Sequence, residues 1–77
     1  MKLNELDLEG TQLLIGHATD LAIAEQTFDK FSKDLNNNYN LQTDKIDFDN
    51  LNEKSKYYLT QGAEYLREKY QVNIDLE

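Results

Sequence analysis

The chain has 77 residues, a formal net charge of −7 and no cysteine. This length predicts one small domain spanning residues 1–77, which neither a disulfide nor a zinc–thiolate cluster can stabilise. The negative charge disfavours direct binding to nucleic acid or to an anionic membrane surface. Because the sequence also has no long apolar run and no signal-like amino terminus, we expect a cytoplasmic protein without a membrane partner.

Residues 1–9 precede the first clear periodicity, and we expect them to form an arm that is either flexible or docked. The stretch "MKLNELDL" alternates in part, and "YQVNIDLE" alternates through Val72, Ile74 and Leu76. Both ends could therefore be short strands, although two isolated strands are only marginally stable without packing support. The alternative fold class is accordingly a small α+β domain with short terminal strands.

From about residue 11 to residue 35, apolar side chains recur at helical spacing and predict one long helix with Thr11 as its N-cap. A seam of residues three and four apart runs along this helix: Leu14, His17, Leu21, Ala24, Phe28, Phe31 and Leu35. Ile15, Ala18 and Ala22 widen the seam beyond a coiled-coil stripe, so we expect the helix to contact more than one neighbour.

Residues 36–51 are predicted to be a connector, since the asparagines of "NNNYN" favour a helix end and "KIDFDNL" favours a short strand or an extended segment. Asn52 then resembles an N-cap, and a second helix is predicted from about residue 52 to residue 70. Gly62 lies within this helix, where glycine costs about 1 kcal/mol relative to alanine. Its presence indicates a close approach by another backbone.

The predicted fold is therefore mainly α: an antiparallel helical hairpin. Because two helices cannot enclose a core, we expect a homodimer that forms a four-helix bundle. The residues predicted to mediate self-association share the apolar face of the first helix: Leu14, His17, Leu21, Phe28 and Phe31.

Few residues are candidates for chemistry. His17, the only histidine, lies three residues before Asp20, and such a pair can transfer protons. Its position in the apolar seam favours a packing role instead. Asp47 and Asp49 match the start of a calcium-binding EF-hand loop, but the twelfth position is Tyr58 where glutamate is required. We expect no catalytic residue, no metal site and no cofactor.

Tyrosines and acids are the candidates for partner binding, because tyrosine is enriched in protein interfaces. They are Tyr57, Tyr58, Tyr65, Asp20, Glu25 and Asp29. In size and style alone, the chain resembles small acidic accessory proteins of phages and mobile elements. We expect a non-enzymatic protein that binds or occludes a protein partner. A DNA mimic that inhibits a nucleic-acid-binding protein is the alternative, and a small enzyme using His17 and Asp20 is less favoured.

Overall fold

The computed structural model describes residues 1–76, so Glu77, the last residue of the predicted domain, lies outside the described residues. The chain forms α1 (Leu8–Ala24), α2 (Phe28–Asn37), β1 (Tyr39–Asn40), β2 (Lys45–Ile46) and α3 (Glu53–Tyr70), with short 3-10 turns at Leu3–Glu5 and Phe48–Asn50. The prediction of a mainly helical fold is confirmed. The two strands are antiparallel, with Tyr39 opposite Ile46.

The first helix starts earlier than predicted. Its N-cap is Asp7, whose carboxylate accepts a hydrogen bond of 2.7 Å from the Gly10 amide. The prediction of Thr11 as the cap was wrong, because Thr11 lies inside α1 and is 4 % exposed. Asp7 satisfies one of the free first-turn amides, that of Gly10, before the apolar periodicity begins.

The predicted single helix over residues 11–35 is two helices. Gln26 adopts a left-handed conformation with φ of 62° and ends α1. The Gln26 amide donates to the Ile23 carbonyl (3.1 Å) and the Thr27 amide to the Ala22 carbonyl (2.8 Å). These two bonds form the Schellman arrangement that commonly ends helices. The chain turns there, and α2 starts at Phe28 in a new direction.

The prediction for α3 is confirmed at both ends. The Asn52 side chain accepts a hydrogen bond of 2.8 Å from the Ser55 amide, as an N-cap does. The helix ends at Tyr70, and the next residue, Gln71, is left-handed with φ of 58°. Basic side chains in the last turn, from Arg67 and Lys69, complement the negative end of the helix dipole.

The amino-terminal arm is docked. The Asn4 side chain donates to the Ile46 carbonyl (3.1 Å) and accepts from the Ile46 amide (3.0 Å), which holds the arm against β2. The Leu3 amide donates to the Asp75 carbonyl at 2.9 Å, so the two ends of the chain also meet. They form one parallel bridge between Lys2 and Asp75 instead of the terminal strands of the α+β alternative. The two-stranded sheet is formed by β1 and β2, which lie within the predicted connector of residues 36–51.

The core lies between α1, α2 and α3 and is closed by the arm and the connector. Its buried apolar residues come from all these segments: Leu3, Leu14, Ala18, Ala22, Phe31, Leu35, Ile46, Leu51, Tyr58, Leu59, Ala63 and Leu66. Glu25, just after α1, pairs with Lys54 in the first turn of α3, while Leu3 before α1 bonds to Asp75 after α3. The two long helices therefore run in opposite directions.

The closest contact between the helices confirms the prediction for Gly62. A Cβ atom at this position would lie 2.9 Å from the Leu14 carbonyl oxygen and 2.8 Å from Leu14 Cδ1. Gly62 therefore lets the backbone of α1 approach α3 more closely than any other residue would allow.

Within residues 1–76, no helix combines the length and the apolar character needed to cross a membrane.

Replacing Gly62 with alanine should destabilise the fold by about 2 kcal/mol or more, because the Cβ must displace the Leu14 backbone and the loss exceeds the gain in helix propensity. Gly16 is the matched control, since an added Cβ there meets nothing within 4 Å. Gly16→Ala should stabilise the protein by up to about 1 kcal/mol. Urea unfolding monitored by circular dichroism measures both changes, and equal effects of the two substitutions would contradict the close approach.

Replacing Gln26 with glycine should stabilise the protein by about 0.5–1 kcal/mol. A left-handed conformation costs a residue with a Cβ about 1–2 kcal/mol, and the greater freedom of glycine in the unfolded chain offsets part of the gain. The control Gln26→Ala keeps the Cβ and should bring no gain. Thermal unfolding compares the three proteins. A lower melting temperature for the glycine variant would show that the Gln26 side chain has a stabilising role of its own.

Candidate functional site

One side of the pair formed by α1 and α3 is not covered by the rest of the chain. On α1, Leu13, His17 and Leu21 follow one another at four-residue intervals, and on α3 Tyr57, Gln61 and Tyr65 do the same. Residues at this spacing lie along one side of a helix. We call the surface formed by these two rows, with Ala24 at the end of the α1 row, the outer face.

The two rows lie on either side of the line along which α1 packs against α3, and we call this line the groove. The residues nearest the helix contact, which are His17, Leu21, Gln61 and Tyr65, are half-buried, whereas Leu13 and Tyr57 are exposed. The His17 and Tyr65 rings stack across the groove, with their centroids 4.3 Å apart and their planes 6° apart. His17 therefore packs against an aromatic ring, and no hydrogen bond joins it to Asp20 in the described residues.

Two residues in the last turn of α3, Lys69 and Tyr70, also contact Tyr65. Lys69 Nζ donates a hydrogen bond of 2.9 Å to the Tyr65 hydroxyl, and the Tyr70 ring contacts Tyr65 edge-on at 6.4 Å between centroids. The His17–Tyr65 stack consequently belongs to an ordered cluster at one end of the outer face.

A hydrogen-bond network fixes the opposite end. The Tyr58 hydroxyl donates to Glu25 (2.9 Å) and, having one proton, accepts from the Thr27 hydroxyl (2.5 Å). Glu25 also pairs with Lys54 at 2.8 Å. The network joins the end of α1 to the first turns of α3, so the bend between α1 and α2 is tied to the helix pair.

The hydrogen-bond network shifts the pKa values of its two charged members, Glu25 and Lys54. The hydrogen bond from Lys54, and then that from Tyr58, lower the pKa of Glu25 below its ordinary value of 4.5. The hydrogen bond to Glu25 raises the pKa of Lys54 above 10.5. Both shifts favour the charged forms, as expected for an ion pair.

The structure separates the residues predicted for self-association. Leu14 is fully buried against α3, and Phe31 is 3 % exposed because its ring packs edge-on against Tyr58. The burial of both side chains leaves hardly any of their surface for a second molecule in this fold. His17 and Leu21 lie in the groove of the outer face, while Phe28, 42 % exposed, lies on α2.

The predicted partner-binding residues are also divided. Tyr57 and Tyr65 lie on the outer face, whereas Tyr58 is fully buried in the core. The bend after α1 places Asp29 on α2, so Asp20, Glu25 and Asp29 do not follow one helix. Leu13 and Gln61, which were not among the predicted residues, complete the two rows and are recognisable by the four-residue spacing within each helix.

A cleft of about 450 Å³ opens between the bend and the first turn of α3. It is lined by Thr27, Lys30, Phe31, Asn52, Glu53, Lys54 and Tyr58. Its two aromatic residues are almost wholly buried, so they offer hardly any ring surface to a ligand. Lys54 is already paired with Glu25. The outer face is therefore a stronger candidate for binding than this cleft.

Among residues 1–76, no group of histidine and carboxylate side chains is arranged to hold a metal ion. Comparisons with protein-family models, with curated proteins and with solved structures find no match to this chain. The outer face and its geometry therefore carry the functional argument.

Replacing Glu25 with glutamine should lower stability near neutral pH and matter less in acid. Because the folded-state pKa of Glu25 is lowered, its charge stabilises the fold fully above the ordinary value of 4.5, and this contribution is lost as the pH falls through the lowered pKa. Urea midpoints of wild type and Glu25→Gln should therefore converge as the pH drops below 4.5. Asp29→Asn corrects for the change in net charge. A gap between wild type and variant that stays constant with pH would contradict the role of the ion pair.

Proposed function

We propose that this protein is a non-enzymatic interaction protein that acts by docking its outer face onto another protein. The observation that carries the proposal is the composition of that face. Between the Glu25–Lys54 pair at one end and Lys69 at the other, its two rows and Ala24 contain three aromatic rings, counting His17, and no charged side chain. Depletion of charge and enrichment in tyrosine are typical of the centres of protein interfaces.

The contacts of His17 support binding over catalysis. Its ring stacks on Tyr65, and none of the hydrogen bonds among the described residues orients it toward a nucleophile or toward Asp20. A proton-transfer role generally requires a partner that orients the imidazole ring.

Homodimerisation into a four-helix bundle is the second candidate. The outer face presents two helices side by side, so two copies related by a twofold axis would place four helices around a new apolar centre. The same uncharged rows favour this arrangement. The two candidates share one surface and differ in what covers it.

The double substitution Leu13→Ser and Tyr57→Ser tests the surface itself. Both side chains are exposed, at 39 % and 47 %, so the fold should tolerate the change. We expect binding through the outer face to weaken by about tenfold or more, since tyrosine is enriched among the residues that dominate interface affinity. Light scattering over a concentration series measures self-association, and pull-downs from an extract of the native host measure binding to other proteins.

Leu41→Ser is the matched control, because Leu41 is 85 % exposed and lies in the connector, outside the outer face. It should behave as wild type in both assays. If the three proteins show the same mass and recover the same proteins, the outer face is not a binding surface and the proposal is wrong.

A further inference from the structure

We infer that the outer face accommodates a basic amphipathic helix of a different protein, with its apolar side in the groove and its lysines or arginines at the groove margins. The inference rests on the proposed function and adds the chemistry of the partner. The two observations behind it are the length of the groove and the charges along its two edges.

The groove is long enough to accommodate a helix of three turns. The α1 row runs from Leu13 to Ala24, which at 1.5 Å per residue is about 17 Å, or three helical turns. A groove between two packed helices receives the apolar side of a third helix, whose anchoring residues recur every three or four positions. An extended peptide would instead need unpaired backbone groups along a strand edge, and both rows of the outer face are helical.

The margins of the groove carry more carboxylates than cations: Lys69 lies against Tyr65, and three acidic side chains flank the two rows. Asp20 lies three residues after His17 on α1, and Glu68 lies three residues after Tyr65 on α3, so each carboxylate flanks one ring of the stack. Glu64 lies one turn before Glu68. All three side chains are exposed, and within residues 1–76 none of them forms an ion pair. Free carboxylates around an uncharged centre attract a partner whose apolar surface is bordered by cations.

A second copy of the chain supplies few of those cations. Helix α1 contains no lysine or arginine. Of the cations at the ends of the outer face, Lys54 is paired with Glu25, and Lys69 alone keeps a charge that is unpaired within residues 1–76 while it donates to Tyr65. Two copies would also bring together two chains that each carry a formal charge of −7. Charge complementarity therefore favours a basic partner over self-association through the same surface.

Binding of a designed peptide tests the inference on the full-length protein. The probe is a fluorescent, acetylated and amidated helix of about 14 residues, with leucines every three or four positions and lysines on both sides of them. A second probe carries glutamates in place of the lysines. Fluorescence anisotropy should show saturable binding of the lysine probe and none of the glutamate probe. Raising the salt concentration should weaken the binding, because the carboxylates are exposed.

Two charge-reversed variants locate the contact. Asp20→Lys with Glu68→Lys changes the margins of the groove and should weaken binding of the lysine probe by about tenfold or more. Asp29→Lys with Asp49→Lys changes the net charge equally at exposed positions outside the outer face. This control should weaken binding by less than about threefold, since distant exposed charges are screened.

Three results would overturn the inference: no binding of the lysine probe, equal binding of both probes, or equal weakening by both variants. The last would indicate diffuse attraction to an acidic protein. If the lysine probe fails to bind while light scattering shows a dimer that the Leu13→Ser and Tyr57→Ser substitutions dissociate, the proposed function holds and a second copy is the occupant. If neither the probe nor any protein binds the outer face, both proposals fail.

Discussion

The close approach of α1 to α3 at Leu14 and Gly62 determines how the rest of the chain is arranged. The two backbones come so near that a Cβ at Gly62 would lie 2.9 Å from a carbonyl oxygen. Helices at this spacing leave little room between them, and Ala18 and Ala22 are fully buried in α1. Larger residues must lie to the sides of the contact line. Those on one side form the core with α2, and those on the other form the outer face.

The sequence predicted α3 correctly because its signals are local. Asn52 caps the helix through its own side chain, and glycine inside a helix indicates a packing constraint. The bend between α1 and α2 has no such signal. Gln26 occupies a left-handed position that usually selects glycine, and the spacing of seven between Leu21 and Phe28 continues across the break. Periodicity alone therefore predicted one helix where the chain forms two.

The missed bend between α1 and α2 also explains why only some of the predicted binding residues lie on the outer face. Periodicity shows which residues share a side of a helix, but not which neighbour covers that side. The bend returns α2 onto the helix pair, so Phe31 packs against Tyr58 inside the chain and both become core residues. A continuous helix would have left that apolar surface for a second molecule. His17 and Tyr65 remained partly accessible because no segment of the described chain crosses their side of the helix pair.

The polar contacts at the two ends of the outer face hold its rows in place before anything binds. Glu25, Tyr58 and Lys54 join α1 to α3 at one end, and Lys69 fixes the ring of Tyr65, on which His17 stacks, at the other. A surface that is already ordered loses less entropy on binding, so more of its contact energy contributes to affinity. Lys54 is paired with Glu25 in this way, whereas Lys69 keeps its charge. Asp20, Glu64 and Glu68 form no ion pair within residues 1–76, and the proposed preference for a basic partner rests on these three carboxylates.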